Sequence, residues 1–256
     1  MNKYIVLLIV WFQFSASAQK ETYQKEIFIN GQDTLLYRTL WPADFDPSEK
    51  YPVLLFLHGA GERGRDNETQ LVHGSKLFSD SIEKYPAIVI FPQCPEDDYW
   101  ANVQKERNQY GYNHFFIDGG EPTPSMQQLL ALMDSVAAMP YVNTSRIYVG
   151  GLSMGGMGTF EIVYRRPDMF AAAFPICGGG NQETVRLYAK KVPFWIFHGA
   201  QDDIVLPYHS IKMRRAIEEA GGDVKMTLFR DANHNSWDPT FAEPGLLPWI
   251  FSHSKK

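Results

Sequence analysis

This sequence lacks a basic cluster, has little cysteine and no repeats, and each shortage removes a class of function. No Lys/Arg cluster stands out and the net charge is −5, which argues against a nucleic-acid partner. Only two cysteines occur, Cys94 and Cys177. No metal-ligand spacing is present and no Gly-x-Gly-x-x-Gly follows a strand, so neither a metal nor another cofactor is expected. Internal repeats and low-complexity tracts are missing as well. The N-terminal apolar run, residues 4–14, is too short to span a bilayer comfortably, so no stable membrane anchor is expected.

That run has the order of an export signal instead. Lys3 supplies a positive n-region, residues 4–14 an apolar h-region, and Ala16-Ser17-Ala18 a small-residue cleavage site. Cleavage after Ala18 would leave a mature chain from Gln19, secreted or periplasmic, with no cysteine at the site to carry a lipid. Residues 19–256 are long and apolar enough for a single large α/β domain with a sizeable buried sheet.

Residues 25–30 and 34–41 read as antiparallel strands joined at Asn30-Gly31, a hairpin signal. Residues 52–57, Pro-Val-Leu-Leu-Phe-Leu, form a continuous apolar run, as expected for a strand buried on both faces, and end in His58-Gly59-Ala60-Gly61. Further strands are expected over 87–92, 170–177, 193–198 and 225–230. Helices are expected over 75–84, 157–165, 206–220 and 241–252. Another runs from Thr123 as N-cap and Pro124 at N1 to Met139. Strands alternating with helices predict an α/β fold, a mostly parallel sheet with helices on both faces. Ligands of such sheets sit at the carboxyl ends of the strands, where the glycine-rich junctions gather here. Residues 96–122 carry Trp100, Tyr110, Tyr112, Phe115 and Phe116 without clear periodicity, and a connection that long is expected to be functional.

The stretch from Ile147 to Gly158 organises the rest. A short apolar run ends in two glycines, Gly151-Leu-Ser-Met-Gly155 follows, and a helix comes next. This is the Gly-x-Ser-x-Gly nucleophile elbow in its strand–turn–helix setting. The turn forces Ser153 into a strained conformation, so the residues two before and two after it must be tiny. The base is expected to be His234, in the loop after the final strand. His58 and His198 precede glycines at strand ends and are expected to bond the backbone there. The acid is Asp202 or the adjacent Asp203, with Asp202 preferred; it would fix the imidazole tautomer. Oxyanion donors are expected from the backbone N–H of Met154 and of Ala60 or Gly61. Trp100 and Trp237 are candidate walls of an acyl pocket under residues 96–122.

Four motifs carry a resemblance: His58-Gly-Ala-Gly-Glu-Arg-Gly64, Pro92-Gln-Cys-Pro95, Gly151-Leu-Ser-Met-Gly-Gly156 and His234-Asn-Ser-Trp-Asp238. Together they resemble the α/β-hydrolase superfamily, and within it a secreted bacterial esterase group. That group is phospholipase/carboxylesterase-like, is related to polyhydroxybutyrate depolymerases and family 1 carbohydrate esterases, and is also called "predicted peptidase". The resemblance implies an eight-stranded sheet in the order 1-2-4-3-5-6-7-8, and it supports Ser153, Asp202 and His234 as a triad. That order would place the strands before Cys94 and Cys177 three spacings apart, roughly 14 Å, beyond disulfide reach, so two free, buried thiols are expected. Family motifs often carry proline after the acid, where this chain has Asp203. Dienelactone hydrolases share the fold but carry cysteine at the elbow, so Ser153 reads against them.

The function expected is a secreted serine esterase acting through an acyl-enzyme on a small-molecule or polysaccharide-linked ester, with feruloyl or acetyl groups suggested by the resemblance. A serine peptidase of prolyl-oligopeptidase-like type is the alternative, and a non-catalytic binding protein on a hydrolase scaffold is a third reading.

Overall fold

The computed structural model describes residues 23–108, 111–117 and 119–255. The expected signal segment and Tyr110 lie outside the described residues. Eight strands make the main sheet: β1 (Gln24–Asn30), β2 (Asp33–Leu40), β3 (Tyr51–Leu57), β4 (Ile88–Gln93), β7 (Val142–Leu152), β8 (Ala172–Ile176), β9 (Phe194–Gly199) and β10 (Val224–Phe229). Their spatial order is β1-β2-β4-β3-β7-β8-β9-β10, the order implied by the resemblance. The β1–β2 and β2–β4 pairs are antiparallel and every other pair is parallel. A smaller two-stranded sheet, β5 (Val103–Asn108) and β6 (Gly111–Phe116), stands apart from it.

Helices cover both faces because the central strands are apolar on both sides. On one face Val53, Leu55, Ile90, Val149 and Ile196 pack against α2 (Pro124–Ala137), α3 (Met154–Arg165) and α4 (Pro207–Glu219). Those helices contribute Leu129, Met133, Phe160, Ile162, Met213 and Ile217. On the other face Leu54, Phe56, Phe91, Phe174 and Phe197 meet Phe78 of α1 (Ser75–Ser81) and Leu246 and Ile250 of α6 (Leu246–Ser252). Thr123 caps α2 as expected, its Oγ1 accepting the Met126 N–H at 3.1 Å with Pro124 at N1. Cys94 and Cys177 follow β4 and β8, three strands apart in the sheet, and both are free and buried.

Three expectations are corrected. Helix α3 begins at Met154, directly after the serine, rather than at Met157. The expected helix over 241–252 is two, α5 (Trp237–Phe241) and α6, because Pro244-Gly245 interrupts it. Residues 96–122 are not an irregular connection but contain the β5–β6 hairpin, registered from Val103 opposite Phe116 to Asn108 opposite Gly111.

Candidate active site

Strand β7 runs straight into Ser153, whose φ of 53° and ψ of −115° are strained for a residue with a side chain. A Cβ at Gly155 would lie 1.9 Å from the Leu57 carbonyl oxygen, and one at Gly151 would lie 2.5 Å from the Gly155 carbonyl oxygen. Only glycine therefore lets the turn pack against the end of β3. Helix α3 starts at the next residue and points its N-terminus at the serine.

Asp202 lies three residues past β9, with no solvent-accessible side-chain surface. Its Oδ1 accepts the N–H groups of Ile204 (3.0 Å) and Val205 (2.9 Å). Its Oδ2 lies 2.8 Å from His234 Nδ1, and His234 Nε2 lies 2.9 Å from Ser153 Oγ. Burial alone would raise this carboxyl, but contacts with His198 and His234 and the Val205 N–H outweigh burial and hold it well below the usual carboxylate range. An ionised Asp202 only accepts, so the proton sits on His234 Nδ1 and leaves Nε2 free to accept from the serine hydroxyl. Asp203 is exposed, and it is Asp202 that faces His234.

The other histidines divide by environment. His58 bonds only backbone groups, as expected: Nδ1–H donates to the Gly59 carbonyl at 2.7 Å and Nε2 accepts the Cys94 N–H at 2.9 Å. Burial pushes it down to about 4. His198 bonds the backbone too, with Nε2 2.8 Å from the Val205 carbonyl, but the same nitrogen is 3.1 Å from Asp202 Oδ2. His114 and His209 face each other edge to face at 5.7 Å, and burial lowers both to about 4.

Ser153 and His234 open onto a cleft of about 530 Å³, lined also by Gly59, Ala60, Gly61, Tyr99, Lys105, His114 and Trp237. Ala60 and Gly61 begin a short 3-10 turn and Met154 begins α3. N–H groups in the first turn of a helix have no intrahelical acceptor, so those three lack a partner within their own helices. Trp237 packs edge-on against His234, 5.6 Å between centroids, and lies 5.1 Å from His73. Trp100 is elsewhere: fully buried, against Gly158 of α3 and the His58 ring, it is a core residue rather than a cleft wall. The cleft also takes in residues that no motif marks, among them Tyr99, Lys105 and His114. The Lys105 ammonium sits 3.9 Å over the Tyr99 ring, and burial followed by repulsion from Arg63 lowers its pKa. The only signal for them was that residues 96–122 are long and aromatic.

Cys177 Sγ, Asp202 and His234 offer ligand atoms within 4.8 Å of one another. The donor set suits hydrogen bonding better than a cation. Burial pushes the Cys177 thiol up and so keeps it protonated, and Asp202 already accepts hydrogen bonds from the His234 Nδ1–H and two amides.

The dienelactone hydrolase family model matches residues 103–242, and the chain belongs to that family. The expectation that Ser153 reads against dienelactone hydrolases is thereby corrected at the family level, since the match includes the elbow with serine in place. Over 92% of its length the chain superposes on a thermostable esterase with a TM-score of 0.81 and 29% identity, covering 65% of that protein. The feruloyl esterase module of Clostridium thermocellum superposes with a TM-score of 0.64 at 18% identity, covering 90% of this chain and 88% of that one, a likeness of fold. A bifunctional acetylxylan esterase/xylanase of Neocallimastix patriciarum is 25% identical over 182 residues, 71% of this chain and 23% of that protein. The chain thus spans about a quarter of the length of such curated relatives. Sheet order and family together make the fold that of an α/β-hydrolase.

Proposed function

We propose that this chain is a carboxylic ester hydrolase with Ser153 as nucleophile, His234 as base and Asp202 as its orienting acid. The observation that carries the reading is the unbroken run from Ser153 Oγ to His234 to the buried Asp202, ending in an open cleft. Ser153 attacks the ester carbonyl as its proton passes to His234 Nε2. The resulting oxyanion is met by the N–H of Met154 and of Ala60 or Gly61, worth about 3–4 kcal/mol for a single donor. His234 then protonates the departing alcohol, leaving an acyl-serine. Water, deprotonated by His234, releases the acid and restores the hydroxyl.

The substrate class we favour is an acetyl or feruloyl ester on a polysaccharide, met outside the cytoplasm after removal of residues 1–18. Support comes from the acetylxylan esterase among the relatives, the feruloyl esterase fold-mate, and a cleft walled by Tyr99 and Trp237. The test is a rate panel of p-nitrophenyl acetate, butyrate and octanoate, methyl ferulate, acetylated xylo-oligosaccharide and a peptide anilide, with Ser153→Ala as blank. Loss of all turnover in a folded Ser153→Ala, with labelling of the unmodified protein by a fluorophosphonate, is expected. A Ser153→Ala protein keeping a tenth of the rate refutes the nucleophile. Turnover of the anilide alone makes the protein a peptidase.

A further inference from the structure

We infer that His198 is a positioning residue for Asp202, a fourth member of the hydrogen-bonded run; this rests on the triad reading proposed above. His198 is the last residue but one of β9, with Asp202 four residues on. Neither side chain has any solvent-accessible surface. His198 Nε2 is 2.8 Å from the Val205 carbonyl, an acceptor only, so that nitrogen carries the proton. The same N–H passes 3.1 Å from Asp202 Oδ2, the oxygen 2.8 Å from His234 Nδ1. The other ring nitrogen then accepts the Ser210 hydroxyl at 2.7 Å, and the Ser210 oxygen lies 3.1 Å from the Gly178 carbonyl.

His198 thereby grips the acid's turn from two sides. It binds the carbonyl of Val205, whose N–H binds Asp202 Oδ1, and it places positive hydrogen character beside Oδ2. Two consequences follow. The carboxylate cannot rotate away from His234 without abandoning four donors. Its charge is also shared between two imidazoles, so Asp202 attracts the His234 proton less than a carboxylate facing one imidazole would. Asp202, Cys177 and His114 face His234, and Glu62, His73 and Lys105 line the same cleft; Asp202 and His209 face His198.

Two substitutions separate the roles. In His198→Gln the amide nitrogen falls near the place of Nε2 and keeps the donor. In His198→Asn it falls near Nδ1, keeping Ser210 company but leaving Asp202 Oδ2 and Val205 without theirs. Rates on p-nitrophenyl acetate are divided by the number of sites titrated with a fluorophosphonate, so a partly unfolded preparation does not count as slow chemistry. For His198→Asn we expect kcat per site to fall about tenfold with KM within twofold. The pH of half-maximal kcat/KM should rise by about half a unit to one unit, because the unshared Asp202 charge stabilises the imidazolium of His234. The low-field proton resonance of His234 Nδ1–H should move with it, and His198→Gln should restore all three. A His198→Asn protein with native kcat per site and native pH midpoint overturns the inference, as does equal loss in the two variants. If the unmodified protein neither takes the label nor hydrolyses the ester, the triad reading fails instead, and the resonance still reports whether His198 touches the Asp202–His234 bond.

Discussion

The sharpest test of how the nucleophile is held is Gly155→Ala. A methyl group there would sit 1.9 Å from the Leu57 carbonyl oxygen, 2.5 Å from the Leu57 carbonyl carbon and 2.8 Å from the His58 carbonyl oxygen. The first distance is about 1.5 Å short of an ordinary contact of 3.4 Å. All three atoms belong to backbone, and β3 is buried and paired on both sides, so no side chain can swing clear. The strain must be relieved by moving α3 off the sheet or by bending the end of β3. Overpacking of a close-packed interior costs about 1–3 kcal/mol, and a clash with rigid backbone belongs at or above the upper end. At roughly 2–4 °C per kcal/mol for a domain this size, a loss of 3 kcal/mol lowers Tm by about 6–12 °C. Moving α3 also displaces Ser153 at its N-terminus, so fluorophosphonate labelling should slow more than stability alone explains. Gly61→Ala is the control: nothing lies within 4 Å of its added methyl, and its stability should stay within about 0.5 kcal/mol. Thermal unfolding of the two variants beside the unmodified chain decides the matter. Equal Tm values for Gly155→Ala and Gly61→Ala would refute the packing argument for the elbow.

Further expectations concern acid, the α2 cap and the thiols. Burial lowers His114 and His209 from an ordinary 6.5 to about 4, so between those values the unfolded chain binds more protons than the folded one. Their contribution is complete above pH 6.5 and is lost as pH falls towards 4. It is on the order of 1–3 kcal/mol for the pair once partial exposure of His209 is allowed for. A His114→Gln/His209→Gln protein should show a shallower fall of Tm from pH 7 to 4, and an unchanged fall rejects the assignment. Thr123→Ala removes the cap on the Met126 N–H and should cost about 1 kcal/mol in urea unfolding, with Thr123→Ser recovering most of it. Neither cysteine should react with a thiol reagent in the folded protein, since both are buried and burial pushes Cys94 up to about 12; stoichiometric native labelling would contradict this.

What could be read from residues alone follows from where the information sits. The parallel core was legible because β3 spells five consecutive residues, Val53 to Leu57, without solvent exposure, and no half-exposed strand or surface helix looks like that. The elbow was legible because its constraint is local: two glycines, one serine and a strand are all within five residues of one another. The start of α3 lies earlier than propensity predicts for a related reason. Gly155, Gly156 and Gly158 are poor helix formers, and the propensity argument delays the helix that close packing on β3 and β8 demands at once. The β5–β6 hairpin hid because Val-Gln-Lys-Glu-Arg-Asn has one apolar residue in six and no alternation. What fixes it is docking: Asn181 Nδ2 donates to the Phe116 carbonyl at 3.1 Å, and the Phe116 ring meets His209 at 5.5 Å. No pattern within 103–116 encodes those partners, and none marks Tyr99, Lys105 or His114 as cleft residues. His198 is the subtlest case. A spacing of four from Asp202 would put two side chains together on a helix. Here a turn closed by Asp202 N–H and the Gly199 carbonyl at 3.3 Å does so instead, and it brings the second imidazole beneath the acid. A residue that acts on the nucleophile through two others leaves no motif of its own. It is found only by asking which donors a buried carboxylate needs and where each one comes from.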